Sequence, residues 1–297
     1  MPENTEGINM KILISDPISE SAKEELKRHG EVTEDINRTD YDILIVRSRT
    51  KVDRDMIDSA KNLKLVIRAG VGLDNIDVEY CRKKGIEVEN TGAAPSVSVA
   101  ELVFAHMLSL ARSMFRATES LKRGEWLKDE FVGIELAGKT LGIIGYGRIG
   151  REVAKRARSF GMKVVVHDPF IKEADAELTD LDTLLRESDF VTLHVPLTPE
   201  TKNLINREKI SEMKDGAFLI NTSRGKVVDE EALYDALKSG KLAGAGLDVF
   251  SREPPEGSEL ITLDNVSLTP HIGSNTREAK ARIGKIIVEV VREFVNR

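Results

Sequence analysis

Thr140-Leu141-Gly142-Ile143-Ile144-Gly145-Tyr146-Gly147-Arg148-Ile149-Gly150 reads as a buried strand running into a glycine turn and then a helix, and the turn spells G-x-G-x-x-G. The three glycines have separate physical roles. Gly145 allows the tight turn, Gly147 lets backbone approach a pyrophosphate, and Gly150 lets the helix pack closely on the strand. The helix, from about Arg148 to Phe160, aims its first N–H groups and positive dipole end at that anion. The next apolar run, Lys163-Val164-Val165-Val166-His167, leads to Asp168, eighteen residues after Gly150. A carboxylate there can accept hydrogen bonds from an adenosine ribose, and with no arginine following it the preference is for NAD over NADP. Strand, turn, helix, strand and acid in this order predict a dinucleotide site.

This fingerprint begins near the middle of a 297-residue chain, which is long enough for two domains. Upstream, KILISD, DILIVRS, LKLVIRAG and IEVENT are short runs rich in Ile, Val and Leu that read as buried parallel strands. Helical spacing fills residues 19–29, 53–62 and 75–84 between them, with Ser19, Asp53 and Asn75 or Asp74 as N-caps. Gly92-Ala93-Ala94-Pro95 then breaks the pattern, and a long helix follows from about Ser96 to Met114, apolar almost all round over 100–111. Downstream, TLGIIG, KVVVHD, DFVTLHV, AFLINTS, LAGAGLDV and NVSLTPH supply six strands, and an amphipathic helix runs from Thr276 to Asn296. Six strands complete a dinucleotide-binding sheet, so the first ninety residues form a separate unit to which the last helix returns. The expected fold is α/β with two doubly wound parallel-sheet domains. A Rossmann domain of residues 95–275 is inserted in a flavodoxin-like substrate domain of residues 1–94 and 276–297, with a cleft between them.

The composition narrows the partners. A formal charge of −6 with both signs mixed along the chain offers no basic patch for nucleic acid. No apolar run reaches the length of a membrane span, and MPENTEGIN is a polar leader without signal-peptide pattern, with Met10 as an alternative start. The single cysteine, Cys81, excludes an internal disulfide, suits a reducing cytoplasm and reads as structural. No Cys/His/Asp cluster has metal-ligand spacing.

A nicotinamide site needs a proton-transfer group beside the carbon that exchanges hydride. Arg224 in INTSRGKVVDE, Glu253 in DVFSREPP and His271 in LTPHIGS each follow a predicted strand, where open α/β sheets bind ligands. His271 can exchange the hydroxyl proton, Glu253 can hold its imidazole, and Arg224 can fork onto a carboxylate. Singly, each also has an ordinary reading as a loop arginine, a surface acid and a cap partner. The other histidines carry no catalytic role: His106 reads as buried or interfacial, His194 as a structural hydrogen-bonder, His29 and His167 as loop or strand-end residues.

GIIGYGRIG, HVPLTPETKNLI, LINTSRGKVVDEEAL, GAGLDVFSREPP and LTPHIGSNT together resemble the NAD-dependent D-isomer-specific 2-hydroxyacid dehydrogenases, nearly throughout the chain from Met10. The resemblance implies Arg224, Glu253 and His271 as the catalytic set. It implies cofactor contacts at Gly145, Gly147, Arg148, Ile149, Gly150, Asp168, His194, Val195, Pro196, Thr201, Thr222, Ser223, Asp248 and Gly273. VRSRTKVDRDMID, LKLVIRAGVGLDNIDVEYCRKKGIEVENT and SVAELVFAHMLSLAR are most similar to the members that oxidise 3-phospho-D-glycerate in serine biosynthesis. That likeness implies substrate contacts at Arg47, Ser48, Gly70, Val71 and Gly72, and places Lys128, after Trp126, where family members reach a neighbouring subunit. It also implies a homodimer through the apolar helix over 100–111 and the loop through Trp126. Because the chain ends at Arg297, directly after its last helix, a C-terminal serine-binding regulatory domain is expected to be absent. Two alternatives stay open: a glyoxylate or hydroxypyruvate reductase of the same family, and a non-catalytic NAD-sensing scaffold.

Overall fold

The computed structural model describes residues 10–297, so the polar leader lies outside the described residues. The chain forms two compact units: the chain up to Pro95 together with Ser274–Arg297, and Ser96–Gly273.

In the first unit, β1 (Met10–Ile14), β2 (Gly30–Thr33), β3 (Ile43–Val46), β4 (Leu65–Arg68) and β5 (Glu87–Asn90) make a parallel sheet ordered β2-β1-β3-β4-β5. This is the flavodoxin-like doubly wound order. The central strands are apolar on both faces because each face meets its own core. Ile12, Ile14, Ile43, Ile45 and Ile67 pack on one side, and Leu13, Leu44, Val46 and Val66 on the other. The connecting helices α1 (Glu20–Leu26), α2 (Arg54–Ser59) and α3 (Val78–Lys83) are capped by Ser19, Asp53 and Asp77, each accepting an N–H of the first turn. The chain's last helix, Arg277–Val295, lays Ile283, Ile287 and Val291 on the first of those faces.

Three details differ from the sequence expectation. Strand β2, GEVT, is too short and polar to show as an apolar run, because it is a half-exposed edge. Strand β5, at the opposite edge, alternates exposed and half-buried positions instead of being buried. Helix α3 is capped by Asp77 rather than Asn75 or Asp74, because the Asn75 side chain is committed to the carbonyls of Arg47 and Thr50.

The second unit opens with α4 (Ser96–Ala111) and α5 (Met114–Lys122), not one helix to Met114. Ser113 adopts a left-handed φ of 49°, and the two helices bend by 62°. The Ala111 carbonyl is taken by the Ile134 N–H, which helps end α4. The sheet contains β6 (Thr140–Ile144), β7 (Lys163–His167), β8 (Glu177–Leu178), β9 (Phe190–Leu193), β10 (Ala217–Asn221), β11 (Leu242–Leu247) and β12 (Val266–Leu268). Helices α6 (Arg148–Ser159), α7 (Leu181–Glu187), α8 (Arg207–Glu212) and α9 (Glu230–Ser239) lie between these strands in the chain, and α10 (Arg277–Val295) is the final helix already placed in the first unit. The order β12-β11-β10-β9-β6-β7-β8 is the Rossmann order with one strand added beyond the sixth. There are seven strands where six were expected; the extra one, β8, is a two-residue exposed edge with no apolar pattern to announce it. Helices α4 and α6 cover one sheet face through Ala100, Val103, Met107, Val153 and Ala157. That burial accounts for the inward face of the apolar 100–111 stretch, while Ala105 and Leu108 stay exposed. No single helix among the described residues is long and apolar enough to cross a membrane; the bent pair α4 and α5 passes on length and composition only.

Candidate active site

The order of the second sheet reverses between β6 and β9, so the crevice beyond their carboxyl ends is the topological switch point. The glycine turn occupies one side of it. Gly145 has φ of +90°, and a Cβ there would lie 2.5 Å from the His194 carbonyl oxygen. The turn therefore needs glycine twice over, for conformation and for the close passage of the loop after β9. A Cβ on Gly150 would lie 2.3 Å from the Gly145 oxygen, which accounts for the tight helix–turn packing. Gly147 is different: a Cβ there would meet nothing within 4 Å. It is also the N-cap of α6 and makes no side-chain cap bond to the first-turn N–H groups. Arg148 is exposed and Ile149 half-buried beside it.

Asp168 closes β7 and is half-buried. Its carboxylate accepts the Tyr146 N–H at 2.8 Å and the Phe170 N–H at 2.9 Å, locking the acid to the glycine turn. Each oxygen keeps a lone pair for a hydroxyl. After β9, His194 Nε2 pairs with Thr192 Oγ1 at 3.0 Å, while its Nδ1 is buried without a partner among the described residues. Burial holds this imidazole neutral, with its pKa lowered to about 3. Val195 and Pro196 continue the loop, and Thr201 Oγ1 donates to the Pro196 carbonyl at 2.6 Å, knitting the loop together. After β10, the Ser223 N–H and hydroxyl both donate to Asn221 Oδ1, at 3.0 and 2.8 Å. The neighbouring Thr222 Oγ1 is buried without a partner among the described residues. Open space at Gly147, uncapped N–H groups, a strand-end carboxylate and an orphaned hydroxyl fit a dinucleotide.

Arg224, Glu253 and His271 follow β10, β11 and β12, which are neighbours in the sheet. His271 Nδ1 and Glu253 Oε2 are 2.7 Å apart. Glu253 Oε1 accepts the Phe250 N–H at 3.2 Å, which orients the carboxylate. Burial pushes the Glu253 pKa up, but the hydrogen bond and charge of His271, the Phe250 N–H and the nearby Arg224 charge outweigh it, so the carboxyl lies below its ordinary range. Arg224 Nη1 donates to the Ser223 carbonyl at 2.7 Å, and Asn221 Nδ2 donates to the Arg224 carbonyl at 2.9 Å. A Cβ on Gly225 would overlap the Phe250 backbone at 1.9 Å. This close approach brings the Arg224 and Glu253 loops together.

His271 has a left-handed φ of 52°, which costs a non-glycine residue on the order of 1–2 kcal/mol. Asp248, buried at the end of β11, holds it there. The His271 N–H donates to the Asp248 carbonyl at 2.8 Å. The Asp248 carboxylate accepts the N–H groups of Ile272 and Gly273 at 2.8 Å each and the Thr269 hydroxyl at 2.6 Å. The Gly273 carbonyl in turn accepts the Ser98 hydroxyl at 2.6 Å. Sequence reasoning placed Asp248 and Gly273 as cofactor contacts but did not see this bracing; nor did it foresee Ser98 and Thr269, whose hydroxyls carry no spacing signal. His106 bonds Ser267 at 2.9 Å and Thr269 at 3.1 Å behind the same loop, and burial lowers its pKa to about 4. His167 is a strand-end residue bonded to the Thr179 carbonyl. Lys128 is exposed.

The first unit carries its own candidate residues at the carboxyl ends of β3 and β4. Arg47 is half-buried, its Nη2 lies 3.2 Å from Ser274 Oγ, and Ser48 is exposed. Burial lowers the Arg47 pKa, and the Asp16 carboxylate works against that. In the turn after β4, Gly70 donates its N–H to the Arg68 carbonyl at 2.8 Å. Its donor is thus turned inward, and an anion at this turn would meet Val71 and Gly72. Cys81 is buried, and burial pushes its thiol pKa up.

Residues 104–273 match the family model described as D-isomer specific 2-hydroxyacid dehydrogenase, NAD binding domain. The chain is 50% identical over 301 residues to D-3-phosphoglycerate dehydrogenase of Methanocaldococcus jannaschii, covering 96% of this chain but only 57% of that relative. It is 51% identical over 296 residues to hydroxypyruvate reductase of Thermotoga maritima, covering 95% of this chain and 97% of the relative. Its structure is similar to that of D-lactate dehydrogenase from Aquifex aeolicus complexed with NAD and lactic acid, with TM-score 0.87, 39% identity, and coverage of 96% and 95%. With a Rossmann unit inserted in a flavodoxin-like one, and strand-end loops that bear an arginine and a paired glutamate and histidine, the chain belongs to the D-isomer specific 2-hydroxyacid dehydrogenases.

Proposed function

We propose that this protein oxidises 3-phospho-D-glycerate to 3-phosphohydroxypyruvate with NAD, the reaction that opens serine biosynthesis. The observation that carries the dehydrogenase chemistry is the 2.7 Å contact between His271 Nδ1 and Glu253 Oε2. With Nδ1–H donated to Glu253, His271 Nε2 is left to accept the substrate hydroxyl proton. Glu253 stabilises the imidazolium that forms, and Arg224 orients the substrate carboxylate. Bound NAD supplies the hydride acceptor. Its pyrophosphate is assigned to Gly145, Gly147, Arg148, Ile149 and Gly150, and its ribose to Asp168. The 194–201 and 222–223 loops, with Asp248 and Gly273, are assigned to the rest of the cofactor. On this reading Ser96–Gly273 is the NAD-binding unit and the other is the substrate unit.

The phosphorylated substrate rests on Arg47 and on the likeness to the Methanocaldococcus jannaschii enzyme. A second reading, reduction of hydroxypyruvate, is favoured by the Thermotoga maritima relative, which this chain matches over nearly its whole length. A substrate panel decides between them. With NADH oxidation as the readout, turnover should be fastest with 3-phosphohydroxypyruvate, and Arg47→Ala should lower kcat/KM for that acid alone; faster turnover of unphosphorylated hydroxypyruvate rejects the first reading. No turnover of any acid would favour an NAD-sensing scaffold. We further propose a homodimer, since Phe115, Leu121, Trp126 and Val132 are all more than half exposed along α5 and the loop after it. Light scattering giving a monomer mass refutes it. A cytoplasmic location follows on this reading from the lone buried thiol.

A further inference from the structure

In the first unit the strand order reverses between β1 and β3, so its ligand crevice is expected beyond their carboxyl ends. Asp16 follows β1, and residues 47–50 follow β3. This four-residue segment is gripped from both sides of its backbone. Asp16 Oδ2 accepts the N–H of Arg47 at 2.6 Å and that of Thr50 at 3.2 Å. Asn75 Nδ2 donates to the carbonyl of Arg47 at 2.7 Å and that of Thr50 at 2.6 Å. Asn75 is itself fixed, since its Oδ1 accepts Arg68 Nε at 3.3 Å. Asp16 is only 2% exposed. Four hydrogen bonds thus tie both ends of the segment, through both its donors and its acceptors, to two side chains from other loops.

We propose that Asp16 and Asn75 are positioning residues for acid recognition: they clamp residues 47–50 so that Arg47 and Ser48 are presented to the substrate in one geometry. This rests on the assignment of Arg47 and Ser48 to the substrate. A loop left free must be ordered at each binding event, and that ordering is charged against affinity; a clamped loop has been ordered by folding. The clamp therefore acts on binding of the acid rather than on the chemical step or on the cofactor, which is assigned to the other unit.

Two isosteric substitutions separate the clamp from simple charge. Asn75→Asp keeps the acceptor for Arg68 but replaces both donors by a charged oxygen, so Asn75→Ala, which removes the donors without adding charge, must raise the acid KM as well. Asp16→Asn keeps an acceptor oxygen for both N–H groups while removing the charge beside Arg47; Asp16→Ala removes both. Steady-state kinetics use whichever of 3-phospho-D-glycerate, hydroxypyruvate and glyoxylate the parent enzyme turns over best. The expected result is that KM for that acid rises about tenfold in Asn75→Asp and Asp16→Ala and stays within about threefold in Asp16→Asn. Turnover number and KM for the nicotinamide cofactor stay within about threefold throughout. An unchanged acid KM in Asn75→Asp overturns the proposal, as does equal behaviour of Asp16→Asn and Asp16→Ala, which would mean charge alone. Losses spread evenly over acid KM, cofactor KM, kcat and Tm also overturn it, in favour of a purely structural role. Arg47→Ala is run alongside. An unchanged acid KM there rejects the substrate role of the loop, and the clamp with it; a raised KM there with an unaltered Asn75→Asp rejects the clamp alone.

Discussion

Two glycine turns follow parallel strands in this chain, Gly70-Val71-Gly72 after β4 and Gly145-Tyr146-Gly147 after β6, and as strings of residues they look alike. Their surroundings differ. A Cβ on Gly70 would sit 2.0 Å from Arg68 Nη1, so this glycine makes room for the chain's own buried guanidinium. A Cβ on Gly147 would meet nothing within 4 Å, so that glycine keeps space clear beside uncapped helical N–H groups. A glycine that nothing in the folded chain requires is the one that points to a ligand. Gly70 is thus required by packing, whereas Gly147 is free for the cofactor role proposed for it, and the proposed chemistry is assigned to the loops after β10, β11 and β12.

The sharpest division is between binding and reaction. His271→Ala should reduce turnover 10²–10⁴-fold, about 3–5 kcal/mol of barrier, while NAD affinity at the glycine turn stays unchanged. Unaltered turnover in a stopped-flow assay would remove His271 from the mechanism.

Acid should distinguish the two units next. Burial lowers the His106 pKa from 6.5 to about 4, so between these values the unfolded chain takes a proton that the folded second unit refuses. The stability due to this group is fully present above pH ~6.5 and is lost as pH falls toward ~4, by up to about 3 kcal/mol. Urea unfolding of the second unit, followed through bound NAD, should show this slope together with that of the buried His194, and His106→Leu should lower it by about half. An equally steep slope in the variant would break the assignment.

The turns themselves come last. Gly70→Ala should destabilise by roughly 1–3 kcal/mol through overlap with the Arg68 guanidinium and leave NAD affinity alone. Gly147→Ala should do the reverse, weakening NAD about tenfold, or ~1.4 kcal/mol, with stability unchanged within ~0.5 kcal/mol. Calorimetric titration and thermal melts read both. If Gly147→Ala lowers Tm as much as Gly70→Ala does, the distinction between the turns fails.

Much of this was legible from residue order. The short apolar runs became β1, β3, β4, β6, β7 and β9 to β11, because a strand buried on both faces must be apolar throughout, and NVSLTPH became the half-buried edge β12. What escaped were edges and breaks. GEVT and Glu177–Leu178 are half-exposed or exposed edge strands with no burial to write into the sequence. The bend at Ser113 rests on one left-handed residue that is not glycine. In the site, Arg224, Glu253 and His271 stood out by residue type and strand-end position. Ser98, Thr269, Asp16 and Asn75 did not, since each acts through a hydrogen bond to a group remote in sequence.

By itself the sequence determined the class of fold and the NAD cofactor and marked the candidate reactive residues, because these follow from local periodicity and from chemistry that few side chains can supply. Only the tertiary structure decided which glycine keeps space for a ligand, how Asp248 holds His271 at a φ of 52°, and how Asp16 and Asn75 grip the Arg47 segment. Those are distances between residues far apart in the chain, fixed by sheet order and packing rather than by any neighbour in sequence.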